Sequence, residues 1–154
     1  MDADRIALEN EIAYSIAFNE INARFYGALK AAIAFANLAA GTSAVAGLMA
    51  AVPGLIPAAA VVVAIASIVE QLAHVADRAA HFRLAARSFR HLERRLPGLS
   101  TQAAMDELLA MRADVDFGVR ALEAAAWNLM CQRKGYTEHK MRLSAWQRCL
   151  AALA

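Results

Sequence analysis

The stretch AAIAFANLAAGTSAVAGLMAAVPGLIPAAAVVVAIASIV, residues 31–69, contains no charged residue. The hydrocarbon core of a bilayer, about 30 Å thick, needs roughly 20 apolar residues as a helix, so this stretch is long enough for two. Pro53-Gly54 supplies turn chemistry between them, and Pro57 fits the first turn of the second helix. The sequence therefore predicts an all-α protein with a two-helix transmembrane hairpin. The alternative is a buried hairpin in the core of a soluble helical bundle.

The charged residues lie outside this block and divide the chain into three parts. Hydrophobic residues make up 60% of the 154, charged residues make up 19%, and the mean hydropathy is +0.38. We expect an N-terminal cytoplasmic helix over 1–30, the transmembrane hairpin over 31–73 and a cytoplasmic helical region over 74–154. Because basic residues flank both ends of the hairpin, the positive-inside rule places both termini in the cytoplasm. The acidic N-terminus does not match a secretory signal peptide.

The first apolar helix continues from a predicted N-terminal helix over about 4–30 with no proline between them. It carries small residues at four-residue spacing, which lets helices approach closely in lipid. Polar residues at membrane depth usually face a partner or a water-filled path. The candidates to line a pore are Asn37, Thr42 and Ser67, with Glu70 at its mouth. A hydrogen bond between helices is the alternative for Asn37.

Apolar residues continue at steps of three and four beyond the second apolar helix. This heptad-like seam consists of Leu72, Val75, Ala79, Phe82, Ala86, Phe89, Leu92 and Leu96. The pattern predicts one unbroken helix from about residue 55 to 96, which Pro97-Gly98 ends. Such a helix would be roughly 60 Å long at 1.5 Å per residue, so it would project from the membrane.

A basic stripe lies beside the seam. Its members are Arg83, Arg87, Arg90 and Arg94, spaced four, three and four residues apart. This spacing places them on one helical face, where they could bind the phosphates of a nucleotide, and several copies in an oligomer would concentrate the charge. A solvated surface, or contact of the first members with anionic lipid headgroups, is the alternative.

Motifs for catalysis and for tight metal binding are missing from the sequence, which indicates a protein that is not an enzyme and needs no cofactor. His74, Asp77 and His81 share a helical face, but the sequence offers no further ligands, and an Asp–His hydrogen bond is the commoner outcome. Cys131 and Cys149 have no zinc spacing, and we expect them to be small apolar residues in a reducing compartment.

After Leu99 the sequence predicts three shorter helices. Ser100 is a typical N-cap for the first, which ends at a break over 114–118. The second ends at Arg133-Lys134-Gly135, a typical helix C-terminus. Thr137 is the expected cap of the last helix.

The residues after the hairpin resemble a known family. The pattern H-x-x-L-x-x-x-x-F-x-x-L-E, here His81, Leu84, Phe89, Leu92 and Glu93, is similar to the segment that follows the membrane helices of the SLATT family (SMODS- and SLOG-associating two-transmembrane effector domain). Downstream, 112–116, 120–122 and 127–135 look like the family's second helical region. That region often has a histidine before an asparagine. This chain has Trp127 before Asn128, so no role for that histidine is carried over.

The resemblance implies a pore-forming effector of a bacterial conflict system in the cell membrane. Its pore would be gated by a nucleotide or oligonucleotide signal from a nucleotidyltransferase encoded beside it, and ion leakage would stop growth of an infected cell. Two membrane helices cannot enclose a path alone, so the chain would act as a homo-oligomer, which the resemblance suggests is a tetramer.

Two other functions fit the same sequence. A membrane anchor or scaffold would use its cytoplasmic helices to bind a partner protein and would pass no ions. A holin-like protein or toxin would form a pore without nucleotide control. The first of these alternatives predicts that Asn37→Leu has no harmful effect.

Overall fold

The described residues of the computed structural model are 3–41, 61, 64, 65, 68, 74–115 and 118–154. Within them the fold is all-α, and no residue is in a strand. We number the helices α1 to α5. They are α1 Ala3–Gly41, α2 Val75–Arg95, α3 Thr101–Ala113, α4 Glu123–Lys134 and α5 Ala145–Leu153. Short 3-10 turns follow α2 at Leu96–Gly98, precede α4 at Arg120–Leu122 and lie between α4 and α5 at Thr137–His139.

The chain divides into two compact units. The first consists of Met1–Phe25 and Ala79–Ala154, and the second of Tyr26–Arg78. The predicted division at 30/31 and 73/74 describes membrane topology, and it stays a prediction. The helices near 31–52 and from about 55 lie mostly outside the described residues.

Helix α1 confirms that the N-terminal helix continues into the first apolar stretch as far as Gly41. In the first unit, α1 packs along one side of α2. The core that they share with α3 contains Leu8, Ile12, Ile16, Phe89, Leu92, Leu96, Ala104 and Leu108. Since a helix repeats every 3.6 residues, the spacing of four in α1 keeps its apolar side chains on one face.

The predicted seam is buried wherever the structure describes it. Phe82 and Leu92 are 0% exposed, Phe89 is 1% exposed, and Val75, Ala79, Ala86 and Leu96 are also buried. Leu72 lies outside the described residues. The seam is confirmed because its steps of three and four follow the helical repeat and collect these side chains on one face.

Two smaller clusters of buried residues also belong to the first unit. Ile21 of α1 packs with Leu122, Ala125, Ala126 and Leu150, which brings α4 and α5 against α1. The second cluster consists of Ala17, Met130 and Cys131. Helix α1 contributes to all three clusters, so it is the central helix of this unit.

Buried polar groups fix the chain that leads from α3 to α4. Asn22 is fully buried, its Nδ2 donates to the Phe18 carbonyl at 2.9 Å, and its Oδ1 accepts from the backbone N–H of Val119 at 2.8 Å. Gly118 passes so close that an added Cβ would lie 2.5 Å from Cζ of Phe18. Only glycine fits this approach without movement of its neighbours.

In the second unit, Tyr26, Ile33 and Val75 are buried. Arg78 donates from Nη1 to the Tyr26 hydroxyl at 3.0 Å, and its guanidinium lies 5.8 Å from the centre of that ring. Among the helices of the described ranges, none combines the length and the apolar character that a membrane crossing requires.

Two predicted helix starts are wrong. Helix α2 begins at Val75 and does not run unbroken from residue 55, because His74 has a left-handed φ of +42° that a right-handed helix cannot contain. The last helix begins at Ala145 and not at Thr137, which lies in a 3-10 turn. Ser144 caps it within a capping box, in which Gln147 reciprocates.

The other caps follow the sequence. Ser100 accepts from the N–H of Ala103 at 3.2 Å and caps α3, and Gly135 ends α4 with a left-handed φ of +77°. The expectation for the cysteines holds only for Cys131, which is fully buried, whereas Cys149 is exposed on α5.

Candidate functional site

The basic stripe lies on the exposed face of α2. Arg83, Arg87, Arg90 and Arg94 are all exposed, while the seam of the same helix is buried. Burial of the seam against α1 fixes how α2 is rotated, and this rotation turns the stripe toward solvent. The helix therefore presents four guanidinium groups along about 16 Å of its length.

Side chains from α1 and α4 join the stripe around two adjacent cavities in the first unit. One cavity, of about 270 Å³, is lined by Glu20, Ala23, Arg24, Arg83, Ala86, Arg87 and Arg90. The other, of about 360 Å³, is lined by Ala13, Ile16, Glu20, Arg90, Glu93, Arg94, Met130, Arg133 and Lys134. Glu20 and Arg90 line both, so we treat the two as one basic groove.

Glu20 is the buried carboxylate at the centre of the basic groove. Its side chain is 8% exposed, Oε1 accepts from Nη2 of Arg90, and Oε2 accepts from Nη2 of Arg133 at 2.5 Å. The two arginines come from different helices, α2 and α4. One carboxylate on α1 therefore ties the outer surfaces of both helices to the central helix.

The ion pairs set the protonation state of Glu20. Burial raises the pKa of its carboxyl group, but hydrogen bonds from Arg133 and Arg90, together with their positive charge, lower that pKa more. The pKa of the Glu20 carboxyl group is therefore lower than its ordinary value of 4.5. The carboxylate is therefore charged at neutral pH and acts as an acceptor only.

Because of Glu20, the stability of the protein should depend on pH in the acidic range. A lowered folded-state pKa stabilises the fold above the unfolded pKa, and this contribution disappears as the pH falls through the folded pKa. We expect the wild type to unfold at a higher temperature than Glu20→Gln at pH 7, and the difference to shrink below about pH 4.5. Thermal melts followed by circular dichroism from pH 7 to 3 measure it. An equal difference at both ends of this range would contradict the assignment.

The basic groove carries a large excess of positive charge. Seven cationic side chains and two carboxylates line it, so its formal charge is +5. In the described part of the chain, Arg24, Arg83, Arg87, Arg94 and Lys134 form no salt bridge with a carboxylate. Such a concentration of one sign attracts anions from solution and raises their association rate.

A larger cavity, of about 1220 Å³, lies elsewhere in the first unit and is lined by aromatic side chains such as Tyr14, Phe18 and Trp127. Its Arg112 is already paired with Glu11 and Ser15. The wall of this cavity includes Val115 and Gly118, which flank residues outside the described ranges. The basic groove is therefore the better candidate, since its walls are fully described and most of its cations have no carboxylate partner within the described ranges.

The structure brings some of the predicted site residues together and does not describe others. All four stripe arginines line the basic groove. Asn37 is exposed on α1 in the second unit. Thr42, Ser67 and Glu70 lie outside the described residues, so their assignment to a pore stays a prediction. Within the described ranges, no group of three His, Cys, Asp or Glu side chains is placed to hold a metal ion.

Four residues that line the basic groove were not among the predicted site residues, namely Glu20, Arg24, Arg133 and Lys134. A signal existed for Glu20 alone, since it occupies a core position in the apolar pattern of α1, where a carboxylate needs cationic partners. Nothing near Arg133 in the sequence indicates that it meets Glu20, which is 113 residues away.

Trp127, where the resembled family often has a histidine, has a structural role in this chain. Its Nε1 donates to the His139 carbonyl at 2.8 Å, and its ring lies 6.2 Å from that of Tyr14. The hydrogen bond holds the turn after α4 against α4 itself, and the ring contact packs α4 against α1. No family model, curated protein or solved structure matches this chain.

Proposed function

We propose that this chain is a pore-forming ion-channel effector of a bacterial antiphage defence system, gated by a nucleotide or oligonucleotide signal. A partner nucleotidyltransferase would make the signal, and ion leakage would stop growth of the infected cell. The observation that carries the proposal is the basic groove, whose formal charge of +5 and exposed arginines suit a ligand with phosphate groups.

The membrane part of the proposal rests on the charge-free residues 31–69. The described side chains of this stretch are compatible with it, because Phe35, Leu38, Ile65 and Ile68 are each more than half exposed. Large apolar side chains that are exposed, unlike the buried Ile33 of the same stretch, suit a surface that meets lipid or another protein. We place the hairpin in the bacterial inner membrane with both termini in the cytoplasm.

A pore would require several copies, since one hairpin cannot surround a path. We propose a homo-oligomer, with a tetramer as the first candidate, in which Asn37, Thr42 and Ser67 line the pore and Glu70 lies at its mouth. The small residues of the first apolar helix would let neighbouring helices approach closely. Membrane lipids, other copies of the chain and the signal are then its direct partners.

Ion flux from liposomes that contain the purified protein tests the proposal. The variant Arg83→Glu with Arg87→Glu removes two positive charges and adds two negative ones at the groove. We expect it to lose nucleotide-dependent flux at least tenfold, because the reversed charges repel phosphates. Membrane insertion should be unchanged, and flotation of the liposomes measures it.

The matched control is Arg142→Glu with Arg148→Glu, which makes the same charge change at two exposed arginines outside the groove. This control should respond to nucleotide as the wild type does. An equal loss in both variants would show that net charge matters and the groove does not. Correct insertion with no flux under any nucleotide, including short oligonucleotides, would exclude the channel.

A membrane scaffold is the second candidate, and one observation favours it. Helix α5 exposes Trp146, Cys149 and Leu153, which lie on one face at steps of three and four and could contact a partner protein. The scaffold predicts insertion without flux. It also predicts that Asn37→Leu is silent or stabilising, whereas a pore lined by Asn37 predicts altered flux in that variant.

A further inference from the structure

We propose that Glu20 is a positioning residue of a phosphate-binding site, in which it holds Arg90 and Arg133 ready for one phosphate group of a single-stranded oligonucleotide. This inference rests on the proposed nucleotide control and deepens it. It adds a second helix to the site through Arg133, and it gives the buried carboxylate a role in ligand binding.

Arg90 and Arg133 each have hydrogen-bond donors that Glu20 does not use. A guanidinium has five N–H donors in a planar fork that matches two oxygens of a phosphate. Glu20 uses Nη2 of each arginine. The side chains of Arg90 and Arg133 are 48% and 44% exposed, so their remaining donors can reach a ligand in the groove.

Glu20 is less exposed than the two arginines that it positions. A carboxylate beside an anion site could repel the ligand, but the Glu20 side chain is only 8% exposed, far less than either arginine. A ligand that approaches from solvent therefore meets the guanidinium groups first. Two cations and one anion leave this cluster with a net charge of +1. Orientation of two flexible side chains in advance also lowers the entropy lost on binding.

The basic groove is longer than one phosphate group. The cations continue on both sides of Glu20, with Arg24, Arg83 and Arg87 around one cavity and Arg94 and Lys134 around the other. From Arg83 to Arg94, α2 rises about 16 Å. A single phosphate would occupy only part of this groove. An oligonucleotide with several phosphates uses the whole length of the groove. The length of the groove therefore favours an oligonucleotide over a lipid headgroup as the ligand.

Fluorescence anisotropy with a fluorescein-labelled hexathymidylate tests the inference on the full chain in phosphatidylcholine nanodiscs, which present no anionic lipid. Glu20→Gln keeps the shape of the side chain but cannot accept from both arginines. We expect it to weaken binding about tenfold, although it makes the groove more positive by one charge. The matched control is Glu93→Gln, which makes the same charge change at an exposed carboxylate of the groove. It should bind as tightly as the wild type or more tightly.

Salt dependence provides a readout that loss of stability alone would not change. The logarithm of the binding constant falls with the logarithm of salt concentration by about 0.7 per phosphate contact of a single strand. Since Glu20→Gln frees the two arginines that hold one phosphate group, its slope should be smaller by about 0.7 than that of the wild type. The slope of Glu93→Gln should match the wild type.

Arg133→Lys serves if Glu20→Gln does not fold, because it keeps the charge and removes the fork. It should also weaken binding severalfold. Equal or tighter binding by Glu20→Gln, wild-type binding by Arg133→Lys, or no binding of hexathymidylate by the wild type at low salt would each overturn the inference. These results concern binding alone. Flux that still responds to nucleotide would leave the proposed function standing, and binding without flux would refute the channel while the site remains.

Discussion

Replacement of Phe89 by alanine should lower the free energy of unfolding by about 3–5 kcal/mol. Phe89 is 1% exposed and lies in the core cluster where α1, α2 and α3 meet. Its truncation removes buried apolar area and leaves a cavity that packed helices fill only in part. Ile12 and Leu108 belong to the same cluster, so the cavity would open at the centre of the first unit. Chemical denaturation followed by circular dichroism at 222 nm, a standard helix signal, measures the loss.

Leu84→Ala is the matched control for this substitution. Leu84 lies on the same helix and is 60% exposed, so the change removes little buried area. We expect an effect within about 0.5 kcal/mol, as for most surface substitutions. A similar loss for both variants would mean that the exposed face of α2 is covered in the protein, and a small loss for both would contradict the packing of the seam.

Asn22→Ala should cost about 2–4 kcal/mol, although it removes only a small polar side chain. Asn22 is 0% exposed, and its amide group joins the Phe18 carbonyl to the N–H of Val119. The alanine variant leaves the part-buried N–H of Val119 without its acceptor and opens a cavity beside Gly118. The chain that leads into α4 then loses its hydrogen bond to Asn22 of α1.

The matched control is Asn37→Ala, which makes the same chemical change at an exposed position of the same helix. It should cause no loss, because alanine has the higher helix propensity. Hydrogen exchange separates the two effects further. In Asn22→Ala the amide groups of 119–122 should exchange faster, whereas a loss spread evenly over the chain would contradict the role assigned to this contact.

Local patterns predicted much of the fold. Seam residues such as Phe82 and Leu92 are buried as their spacing indicates, because that spacing needs only the helical repeat. Ser100 and Gly135 also act as expected, since a cap is formed by atoms within a few residues of it. The predicted start of the last helix is wrong because Thr137 and Ser144 are both good caps, and local preference does not choose between them.

The candidate site was predicted only in part. The stripe on α2 repeats within one helix, so Arg83, Arg87, Arg90 and Arg94 could be identified from their spacing. The start of α2 could not be identified from the sequence, because His74 adopts its left-handed conformation where the sequence offers neither glycine nor proline. The membrane hairpin, the pore residues and the nucleotide signal remain predictions that flux and binding measurements can decide.

The sequence by itself determined that these helices form, although not where α2 and α5 begin, and it determined the buried face of α2 and the spacing of the stripe arginines. Each of these depends on residues within a few turns of one another. Tertiary structure decided that Glu20 lies beneath Arg90 and Arg133, which are 70 and 113 residues away from it. A buried carboxylate needs cationic donors, but which donors reach it depends on how three helices pack. The basic groove is therefore a property of the packed α1, α2 and α4 together.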